Sequence, residues 1–397
     1  MKIVEINMVD YGSTGKIMFQ IADCARERGH TVHTYSKKWK NQKKKYPEHF
    51  FYGFYFENGL HVLLNKLIGF QGYFSFFGTK QLVRKLKEFR PDLIHLHNLH
   101  DSSTCLPVLF RYIKKYSIPV VWTLHDCWSF TGQCPHFTMI KCEKWKEGCH
   151  DCPQRNAKLP IDCSKAMWKK KKRWFTGIGD MIIVTPSRWL ANLVKESYLS
   201  EYPVKVINNG VDLSIFNPSP SDFRKQFGLE NEYLILSVAL GWSARKGYAD
   251  CLKLAKLLDD KYNLILVGVS KEQITSFPRN VIGIESTTNP KELAAIYSAA
   301  DVFINTTYED NYPTVNLEAR ACGLPVITYR TGGSPESAGE NAIVVEVGDV
   351  EGMKEAIEEL CSKNKQKQLS KTDAISADSK FAEYMDLFRE IISADEN

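Results

Sequence analysis

One predicted helix in the C-terminal half carries residues whose types and spacing suit the binding of a nucleotide. Pro313 stands where a helix can begin, because its fixed φ suits the first turn and its missing N–H is not needed there. The backbone N–H groups of Thr314, Val315 and Asn316 would then lack an intrahelical acceptor and could donate to a phosphate. One turn further on, the carboxylate of Glu318 could accept hydrogen bonds from a ribose. The pattern predicts a phosphate and a ribose at the start of this helix.

The elements around this helix place it at the ligand-binding edge of a parallel sheet. An apolar run at 302–304 predicts a buried strand, the helix is predicted over 314–321, and 326–328 predicts the next strand. Gly332 and Gly333 then form a tight turn. This order is half of a nucleotide-binding α/β domain, in which ligands bind at the carboxyl ends of the strands.

The same segment resembles a known signature. It reads Asp310, seven residues and Glu318, with Tyr-Pro after the first acid and Ala-Arg-Ala-Cys-Gly-Leu-Pro-Val at 319–326. This pattern resembles the donor-site motif of the retaining glycosyltransferases of family 4. The family pattern has Glu as its first acid, whereas this chain has Asp310 there and Glu309 one position earlier. The similarity extends over most of the chain.

The resemblance implies the GT-B fold, an α/β fold of two facing Rossmann-like doubly wound domains with a cleft between them. It implies transfer of a sugar from a nucleoside-diphosphate sugar to a hydroxyl acceptor, with retention of configuration and without a required catalytic metal ion. Polysaccharide biosynthesis, on a glycan or lipid-linked saccharide, is the expected setting. The expected parts are an acceptor-side domain at 1–203, a donor-binding domain at 204–378 and a helix at 379–397 that packs back on the first domain.

The resemblance also assigns roles to single residues. His125 and Asp310 are the candidate catalytic residues and would contact the transferred sugar. The family usually has an arginine, four residues and a lysine after the first strand of the donor domain. Lys246 fits the lysine, but Gly241 occupies the arginine position, so Arg245 is expected to supply the second cation for the diphosphate. The candidate donor-binding residues are Gly15, Arg245, Lys246, Asn311, Tyr312, Pro313, Thr314, Val315 and Glu318.

The N-terminal half also predicts a strand, a glycine-rich turn and a helix. In the family that the chain resembles, the equivalent loop faces the donor phosphates, so Gly15, in the turn before a helix predicted to begin at Ile17, would allow close backbone approach of a phosphate. A turn needed only for packing is the alternative. Strands predicted at 91–98 and 118–124 each end on histidines, so His97 and His125 are expected to converge at one sheet edge.

Four cysteines predict a separate feature at 134–152. Cys134, Cys142, Cys149 and Cys152 are separated by seven, six and two residues, and the last pair has the spacing of a structural zinc knuckle. The segment has little apolar content, so a metal could supply its order. Two disulfides or four free thiols are the alternatives.

Composition limits the remaining possibilities. The 397 residues suit two domains, and 44% apolar and 25% charged residues are ordinary for a globular protein. The chain has no run of 18 apolar residues, and its start, a strand carrying an acid, does not resemble a signal peptide, so a cytoplasmic protein with reduced cysteines is expected. A polar tract at 362–379 is expected to be loosely ordered.

Two features point to the membrane surface. Basic blocks at 37–45 and 165–173 suit an acidic surface, although a solvated face is the alternative. The aromatic and apolar segment 50–77, with interspersed Lys66, suits either the inner membrane interface and a lipid-linked acceptor, or a core helix.

Other function classes fit the sequence less well. A nucleotide-sugar epimerase of the same fold is the enzyme alternative, and a zinc-containing nucleic-acid module is the binding alternative. A nucleic-acid partner is not expected, because a nucleic-acid module would not explain the segment that runs from Asp310 through the helix predicted at 314–321 to Gly332 and Gly333. A dinucleotide-dependent oxidoreductase is disfavoured, since the chain lacks Gly-x-Gly-x-x-Gly.

Overall fold

Two parallel sheets organise the chain. The structure, a computed structural model, describes residues 1–39, 42, 46–100, 102–154, 162–363 and 375–393. Its contacts divide the chain into a first unit, Met1–Asn208 with the C-terminal helix from Phe381 on, and a second unit, Asn209–Lys380. Within the predicted basic block at 37–45, residues 40, 41 and 43–45 lie outside the described residues, as does most of the polar tract at 362–379.

The first unit contains a seven-stranded parallel sheet in the order β3-β2-β1-β4-β5-β6-β7. Its strands are β1 Lys2–Ile6, β2 Thr31–Lys37, β3 His49–Tyr52, β4 Leu93–Leu96, β5 Val120–Thr123, β6 Met181–Thr185 and β7 Val204–Val206. Its first six helices are α1 Gly12–Glu27, α2 Tyr55–Ile68, α3 Phe76–Phe89, α4 Leu106–Tyr116, α5 Ser164–Phe175 and α6 Arg188–Lys195. The central strands β4, β5 and β6 are buried along their whole length, as expected for a parallel sheet covered on both faces.

The second unit contains a six-stranded parallel sheet in the order β10-β9-β8-β11-β12-β13. Its strands are β8 Tyr233–Val238, β9 Tyr262–Val267, β10 Val281–Ile284, β11 Val302–Asn305, β12 Val326–Tyr329 and β13 Ile343–Val345. The helices that follow are α7 Phe223–Phe227, α8 Tyr248–Leu257, α9 Lys271–Ile274, α10 Pro290–Ala299, α11 Thr314–Ala321, α12 Ser334–Ala338, α13 Val350–Ser362 and α14 Ala377–Ser393. Both sheets reverse their strand order next to their first strand, between β1 and β4 and between β8 and β11. In doubly wound sheets the ligand binds at this switch point.

Several predicted elements are confirmed and three need correction. The helix predicted at 314–321 and the strand predicted at 302–304 are present as α11 and β11. Helix α1, however, begins at Gly12, so Gly15 lies inside the helix and not in the preceding turn. The sequence predicts a helix at 82–89, but helix α3 begins six residues earlier, at Phe76, because the Glu57 carboxylate accepts the first-turn N–H groups of Phe77 and Gly78. Strand β3 was missed, since its residues were assigned to the aromatic segment.

The end of the chain packs on the first sheet. Tyr384 and Phe388 of α14 are buried, and each ring centroid lies 5.3 Å from that of His95 on β4. The Tyr384 hydroxyl also lies 3.1 Å from Thr123 Oγ1 on β5. Helix α14 therefore covers the middle of this sheet. Among the described residues, no helix is both long and apolar enough to span a bilayer.

Candidate functional site

The predicted cations of the second unit lie against the loop that carries the predicted acid. Lys246 ends a short 3-10 helix, Ala244–Lys246, and its Nζ lies 2.5 Å from Asp310 Oδ2. Arg245 donates from Nη1 to the Glu309 carbonyl oxygen at 2.8 Å, and its own carbonyl oxygen accepts the Tyr308 N–H. The loops after β8 and β11 are thus joined at the switch point of the sheet.

Asp310, and not Glu309, is the acid that reaches the surface of this loop. The Asp310 side chain is 20% exposed and pairs with Lys246, whose side chain is 23% exposed, whereas Glu309 is 2% exposed. This placement agrees with the spacing of the sequence motif, which selects Asp310 over its neighbour.

Two glycines allow the loops to meet backbone to backbone. Gly332 has φ +54, and a Cβ at this position would lie 1.9 Å from the Asp310 carbonyl oxygen. Gly247 has φ +72, and a Cβ there would lie 2.0 Å from the Thr306 carbonyl oxygen. Residues with a side chain rarely adopt such a φ, and here they would also collide with the loop. The backbone of the Asp310 loop therefore packs against two glycines, one that precedes it in the sequence and one that follows it.

Helix α11 begins beside this loop, as predicted. Thr314 and Val315 hold its first two positions, where backbone N–H groups have no intrahelical acceptor. The expectation for Asn316 is wrong, because its N–H donates to the Pro313 carbonyl oxygen at 3.2 Å. Its buried side chain instead donates from Nδ2 to Ser337 Oγ at 2.8 Å, which fixes the start of α11 against α12.

The other predicted donor-binding residues surround the start of α11. Asn311, Tyr312 and Pro313 are buried in the turn before the helix. Glu318 is half-buried, and its Oε2 accepts the Tyr297 hydroxyl at 3.1 Å. The structure therefore brings the predicted residues of the second unit to the end of one sheet.

The first unit holds a buried network of histidines at its own switch point. Glu5 on β1 contacts His95 on the adjacent strand β4 and His97, which directly follows that strand. His95 Nδ1 lies 3.0 Å from Glu5 Oε1, and His97 Nε2 lies 2.8 Å from Glu5 Oε2. Beyond these contacts, His97 Nδ1 lies 3.0 Å from His125 Nε2, and the two rings are stacked at an interplanar angle of 12°. The convergence of His97 and His125 predicted from their strand ends is thus present.

Burial keeps these histidines neutral. Burial lowers the pKa of His95 and of His97 to about 3, and that of His125 to about 4. Burial also raises the pKa of the Glu5 carboxyl, while its hydrogen bond with His97 lowers it. Glu5 and His95 were not singled out from the sequence. The sequence did offer one clue, because Glu5 is an acid within the otherwise apolar strand β1. Its partners His95 and His97, however, lie some 90 residues away in the chain.

The half-buried His125 borders a small open pocket with about 190 Å³ of empty volume. The next residue, Asp126, accepts the Trp128 N–H at 2.9 Å on Oδ1 and lies 3.1 Å from His100 Nε2 on Oδ2. Burial alone would raise the pKa of Asp126, but the neighbouring His100 and the Trp128 N–H bring it below its usual value. Asp126 therefore remains ionised and fixes the backbone turn that follows β5.

Gly15 has a packing role in this structure. It lies in the first turn of α1, and a Cβ there would lie 2.7 Å from the Asp10 carbonyl carbon. Close packing of the helix on the loop after β1 therefore requires a glycine, whatever binds nearby. Phosphate binding at Gly15 stays a prediction.

The four cysteines lie between the 3-10 helix Trp128–Phe130 and α5, in a segment whose described residues form turns. None of the four is in a disulfide. The described residues bring three metal-ligating atoms within 4.8 Å of one another only at Glu5, His95 and His97, so the four sulfurs are not gathered into a tetrahedron.

The prediction that burial contributes little to the order of this segment is wrong. Phe137 and Trp145 are buried and pack against each other, with ring centroids 5.1 Å apart. The Gly132 N–H donates to Cys149 Sγ at 3.1 Å. Lys171 of α5 is fully buried; its Nζ donates to the Trp128 carbonyl oxygen and lies 3.6 Å from the centroid of the Trp128 ring. At least one lysine of the second basic block is therefore not part of a solvated face.

Comparisons with known proteins agree with this architecture. Residues 14–215 match the family model of Glycosyltransferase Family 4, and residues 232–363 match that of Glycosyl transferases group 1. A protein named as a colanic acid biosynthesis glycosyl transferase, WcaC, from Escherichia coli K12 is 28% identical over 260 residues, which are 62% of each chain. The processive diacylglycerol alpha-glucosyltransferase of Acholeplasma laidlawii is 29% identical over 163 residues, 38% of this chain and 48% of the relative. The matches thus span about half to three fifths of these relatives' own length.

Solved structures match over the whole chain. Sucrose-phosphate synthase from Thermosynechococcus elongatus superimposes with a TM-score of 0.73 and 17% identity over 99% of both chains. Anabaena HepE in complex with UDP-glucose superimposes with a TM-score of 0.66 and 17% identity over 100% of this chain and 99% of the other. At this identity the likeness concerns the fold, and it confirms the predicted GT-B class of two Rossmann-like doubly wound domains. Since a family model covers half of the residues, from the first helix to the start of the second unit, the chain belongs to Glycosyltransferase Family 4.

Proposed function

We propose that this protein is a glycosyltransferase that moves a sugar from a nucleoside-diphosphate sugar to a hydroxyl acceptor, with retention of configuration. The observation that carries the proposal is the cluster at the switch point of the second sheet, where Lys246, Asp310 and the start of α11 come together. The solved complex of HepE with UDP-glucose supports a nucleotide sugar as the donor class.

The chemistry of the second unit suits the departure of a nucleoside diphosphate. Negative charge develops on the leaving phosphate, and fixed cations and backbone N–H groups stabilise it. Lys246 supplies the mobile cation, Arg245 a second one, and Thr314 and Val315 supply the amides. Glu318 is placed one turn along α11 to accept hydrogen bonds from the ribose. No catalytic metal ion is required for this step.

Donor binding has to separate an ion pair. In this structure Lys246 and Asp310 neutralise each other at 2.5 Å. We propose that the diphosphate takes over Lys246, and that the carboxylate of Asp310 then accepts hydrogen bonds from the hydroxyls of the sugar. For the first unit, we propose that His125 contacts the transferred sugar.

A panel of nucleotide sugars tests this proposal. A ligand that binds only the folded state stabilises it by about 2.7 kcal/mol at one hundred times its Kd, so the cognate donor should raise the melting temperature. With that donor and an acceptor, the anomeric proton coupling of the product reports retention or inversion. Conversion of the donor without any acceptor would support an epimerase instead.

The acceptor is proposed to be a glycan or a lipid-linked saccharide met at an anionic membrane surface. The names of the colanic acid and diacylglycerol relatives support this class. The polarity of α2 supports it independently, because this helix is apolar on its outside. Its outward residues recur at helical spacing and are 51–73% exposed: Phe56, Leu60, Leu63 and Leu67.

The inner face of α2 is polar. Glu57 holds the start of α3, and His61 Nδ1 lies 2.7 Å from Ser75 Oγ. Lys37 is buried below the helix and donates to the Ser102 carbonyl oxygen at 2.7 Å. A helix exposed to water alone normally has the opposite arrangement, so an apolar medium is the proposed neighbour of the outward face. Lys80, 4.3 Å from the ring centroid of Phe76, places a cation beside it.

Flotation with vesicles tests the membrane proposal. Wild-type protein should float with phosphatidylglycerol vesicles, and the double variant Phe56→Ser, Leu60→Ser should float much less. The matched control is Phe227→Ser, which removes an aromatic side chain that is 48% exposed in the second unit. Equal flotation of the double variant and the wild type would exclude α2 as the contact.

We also propose that Cys134, Cys142, Cys149 and Cys152 close around a structural zinc ion when it binds, because their sulfurs are not gathered into a tetrahedron in this structure. Four thiolates with Zn²⁺ carry two net negative charges, and the buried ammonium of Lys171 has Cys134 and Cys149 among its electrostatic neighbours. The N–H of Gly132 already donates to the sulfur of Cys149, the kind of contact that orients a metal ligand.

Elemental analysis tests this site. Purified protein should contain about one zinc per chain, and Cys152→Ser should lose most of it. Cys251→Ser, a buried cysteine of the second unit, is the matched control and should keep the metal. A zinc content far below one per chain in the wild type would leave the free-thiol alternative.

A further inference from the structure

A carboxylate and two imidazoles form a continuous chain that ends at the candidate catalytic histidine. The chain runs from Glu5 through His97 to His125, with nitrogen–oxygen and nitrogen–nitrogen separations of 2.8 and 3.0 Å. Glu5 and His97 are fully buried, and the carbonyl oxygen of His97 accepts the Trp122 indole N–H at 2.9 Å. Glu5 lies on β1, while His97 and His125 follow the carboxyl ends of β4 and β5, so the sheet positions all three residues.

The donors and acceptors of this chain are coupled. A carboxylate only accepts hydrogen bonds, so an ionised Glu5 requires a proton on His97 Nε2. Neutral His97 then has no proton on Nδ1, which must accept, and the proton between the two rings belongs to His125 Nε2. If Glu5 instead donates a proton, every step reverses and His125 carries its proton on Nδ1. The state of Glu5 thus sets the tautomer of a histidine with which it has no direct hydrogen bond.

A second branch leaves Glu5 in the opposite direction. His95 Nδ1 lies 3.0 Å from Glu5 Oε1, and His95 Nε2 lies 2.8 Å from Thr123 Oγ1. The Thr123 hydroxyl in turn lies 3.1 Å from the Tyr384 hydroxyl of α14. With Glu5 ionised, Tyr384 donates to Thr123, Thr123 to His95, and His95 to Glu5. Each contact in the two branches then joins one donor to one acceptor, and the Glu5 carboxylate accepts from two imidazole N–H groups.

We propose that Glu5 is a positioning residue that, through His97, fixes the proton of His125 on Nε2 and leaves the lone pair on Nδ1. The proposal rests on the proposed function, in which His125 contacts the transferred sugar. Glu5 would set whether that contact finds a donor or an acceptor, as the buried carboxylate of a Ser-His-Asp triad sets the tautomer of its histidine. The carboxylate itself does not touch the substrate.

The first test needs no substitution. In protein labelled with ¹⁵N-histidine, two-bond ¹⁵N–¹H correlation spectra show which ring nitrogen carries the proton, and a His125→Asn variant identifies the signals of His125. At neutral pH we expect His125 to be protonated on Nε2. Protonation on Nδ1 would overturn the proposal.

The second test removes the acceptor. In Glu5→Met a proton on His97 Nε2 would be buried without a partner, so the proton should move to Nδ1, and His125 should switch to Nδ1–H. We expect kcat to fall about tenfold or more, with KM changed less than about threefold, because proton placement affects the reacting complex more than binding. Should Glu5→Met fold with the wild-type tautomer and the wild-type kcat, the relay has no role.

The matched control lies at the end of the other branch. Tyr384→Phe deletes one buried hydroxyl of the same network, and we expect it to leave the His125 tautomer and kcat unchanged. An effect on kcat equal to that of Glu5→Met would show that general packing, and not the relay, is responsible. If Glu5→Met does not fold, the wild-type spectrum still decides. A His125→Ala variant with normal turnover would refute the role of His125 in catalysis, whereas the tautomer measurement concerns the relay alone.

Discussion

The two units place their polar groups at equivalent points of similar sheets but use opposite chemistry. All ten histidines of the chain lie before residue 151, and three of them form the neutral, buried network around Glu5 in the first unit. The second unit has no histidine; its site is a half-exposed ion pair of Lys246 and Asp310. The network of the first unit is fixed by its own hydrogen bonds, whereas in the proposed mechanism the ion pair of the second unit exchanges partners when the ligand binds.

This difference fits the demands of the proposed reaction. A leaving diphosphate is strongly charged, so its site needs cations that can be released from an internal partner. A sugar hydroxyl is neutral, so its partner needs a defined donor or acceptor more than it needs charge. Variants that change one unit alone should therefore separate binding of the diphosphate from contact with the sugar.

The largest effect is expected from removal of a charge in the second unit. Lys246→Ala and Glu318→Ala should each lower turnover at least tenfold, which corresponds to about 1.4 kcal/mol of transition-state stabilisation. Initial rates with the cognate donor measure this. Arg330→Ala is the matched control, because it removes from the same unit an exposed cation that pairs with the exposed Glu346. Wild-type rates in both site variants would refute the donor site.

Asp310→Asn should sharpen the comparison, because it separates binding from turnover. Loss of the carboxylate releases Lys246 from its internal partner, so a nucleoside diphosphate should bind a few-fold more tightly. Loss of the sugar contact should at the same time lower kcat about tenfold or more. Calorimetric titration with the diphosphate and steady-state rates give the two values. Weaker binding of the diphosphate would mean that the ion pair does not compete with the ligand.

A fall in pH should destabilise the first unit more than the second. The folded pKa values of His95 and His97, about 3, lie below the unfolded value of about 6.5, so the unfolded state takes up protons first. Stability is therefore lost as the pH falls from about 6.5 toward 3, by about 1 to 2 kcal/mol per histidine at pH 5. The raised pKa of Glu5 acts in the opposite direction and offsets part of this loss.

Urea denaturation followed by tryptophan fluorescence checks this expectation. Seven of the eight tryptophans precede residue 209, so the signal reports mainly on the first unit. The midpoint should fall between pH 7 and pH 5. A midpoint that stays constant over this range would show that the histidines ionise as easily in the folded chain as in the unfolded one.

The smallest effect on activity is expected at Thr123, in the branch that runs from Glu5 through His95 to Tyr384. Thr123→Val removes the hydroxyl between His95 and Tyr384 but leaves the contacts of Glu5 with His97. It should lower stability by about 1 kcal/mol, the usual net contribution of a hydrogen bond, and change kcat less than about twofold. A larger loss of activity would extend the functional network to α14.

Local signals made the second unit the more predictable one. Pro313, Gly323 and Pro325 mark both ends of α11 in the sequence, and the spacing of Asp310 and Glu318 marks the loop and the helix. The ion pair between Lys246 and Asp310 could not be predicted, because it joins residues 64 positions apart. The backbone contact at Gly332 depends in the same way on tertiary packing.

The first unit gave weaker signals. A glycine-rich segment is typical of a turn, yet Gly15 continues α1, since only a glycine fits against the backbone of Asp10. Glu5 was visible as an acid in an apolar strand, but its partners are determined by the parallel register of β1 with β4. The aromatic segment at 50–77 did not reveal which face of α2 is turned inward, because its buried face carries the polar residues.

The glycines that flank the Asp310 loop have a practical consequence for engineering. Since main chain touches main chain at Gly332 and Gly247, the course of this loop cannot be adjusted by exchanging side chains at those contacts. A library intended to alter sugar preference should therefore keep both glycines invariant, since any side chain at either position would displace the loop that carries Asp310.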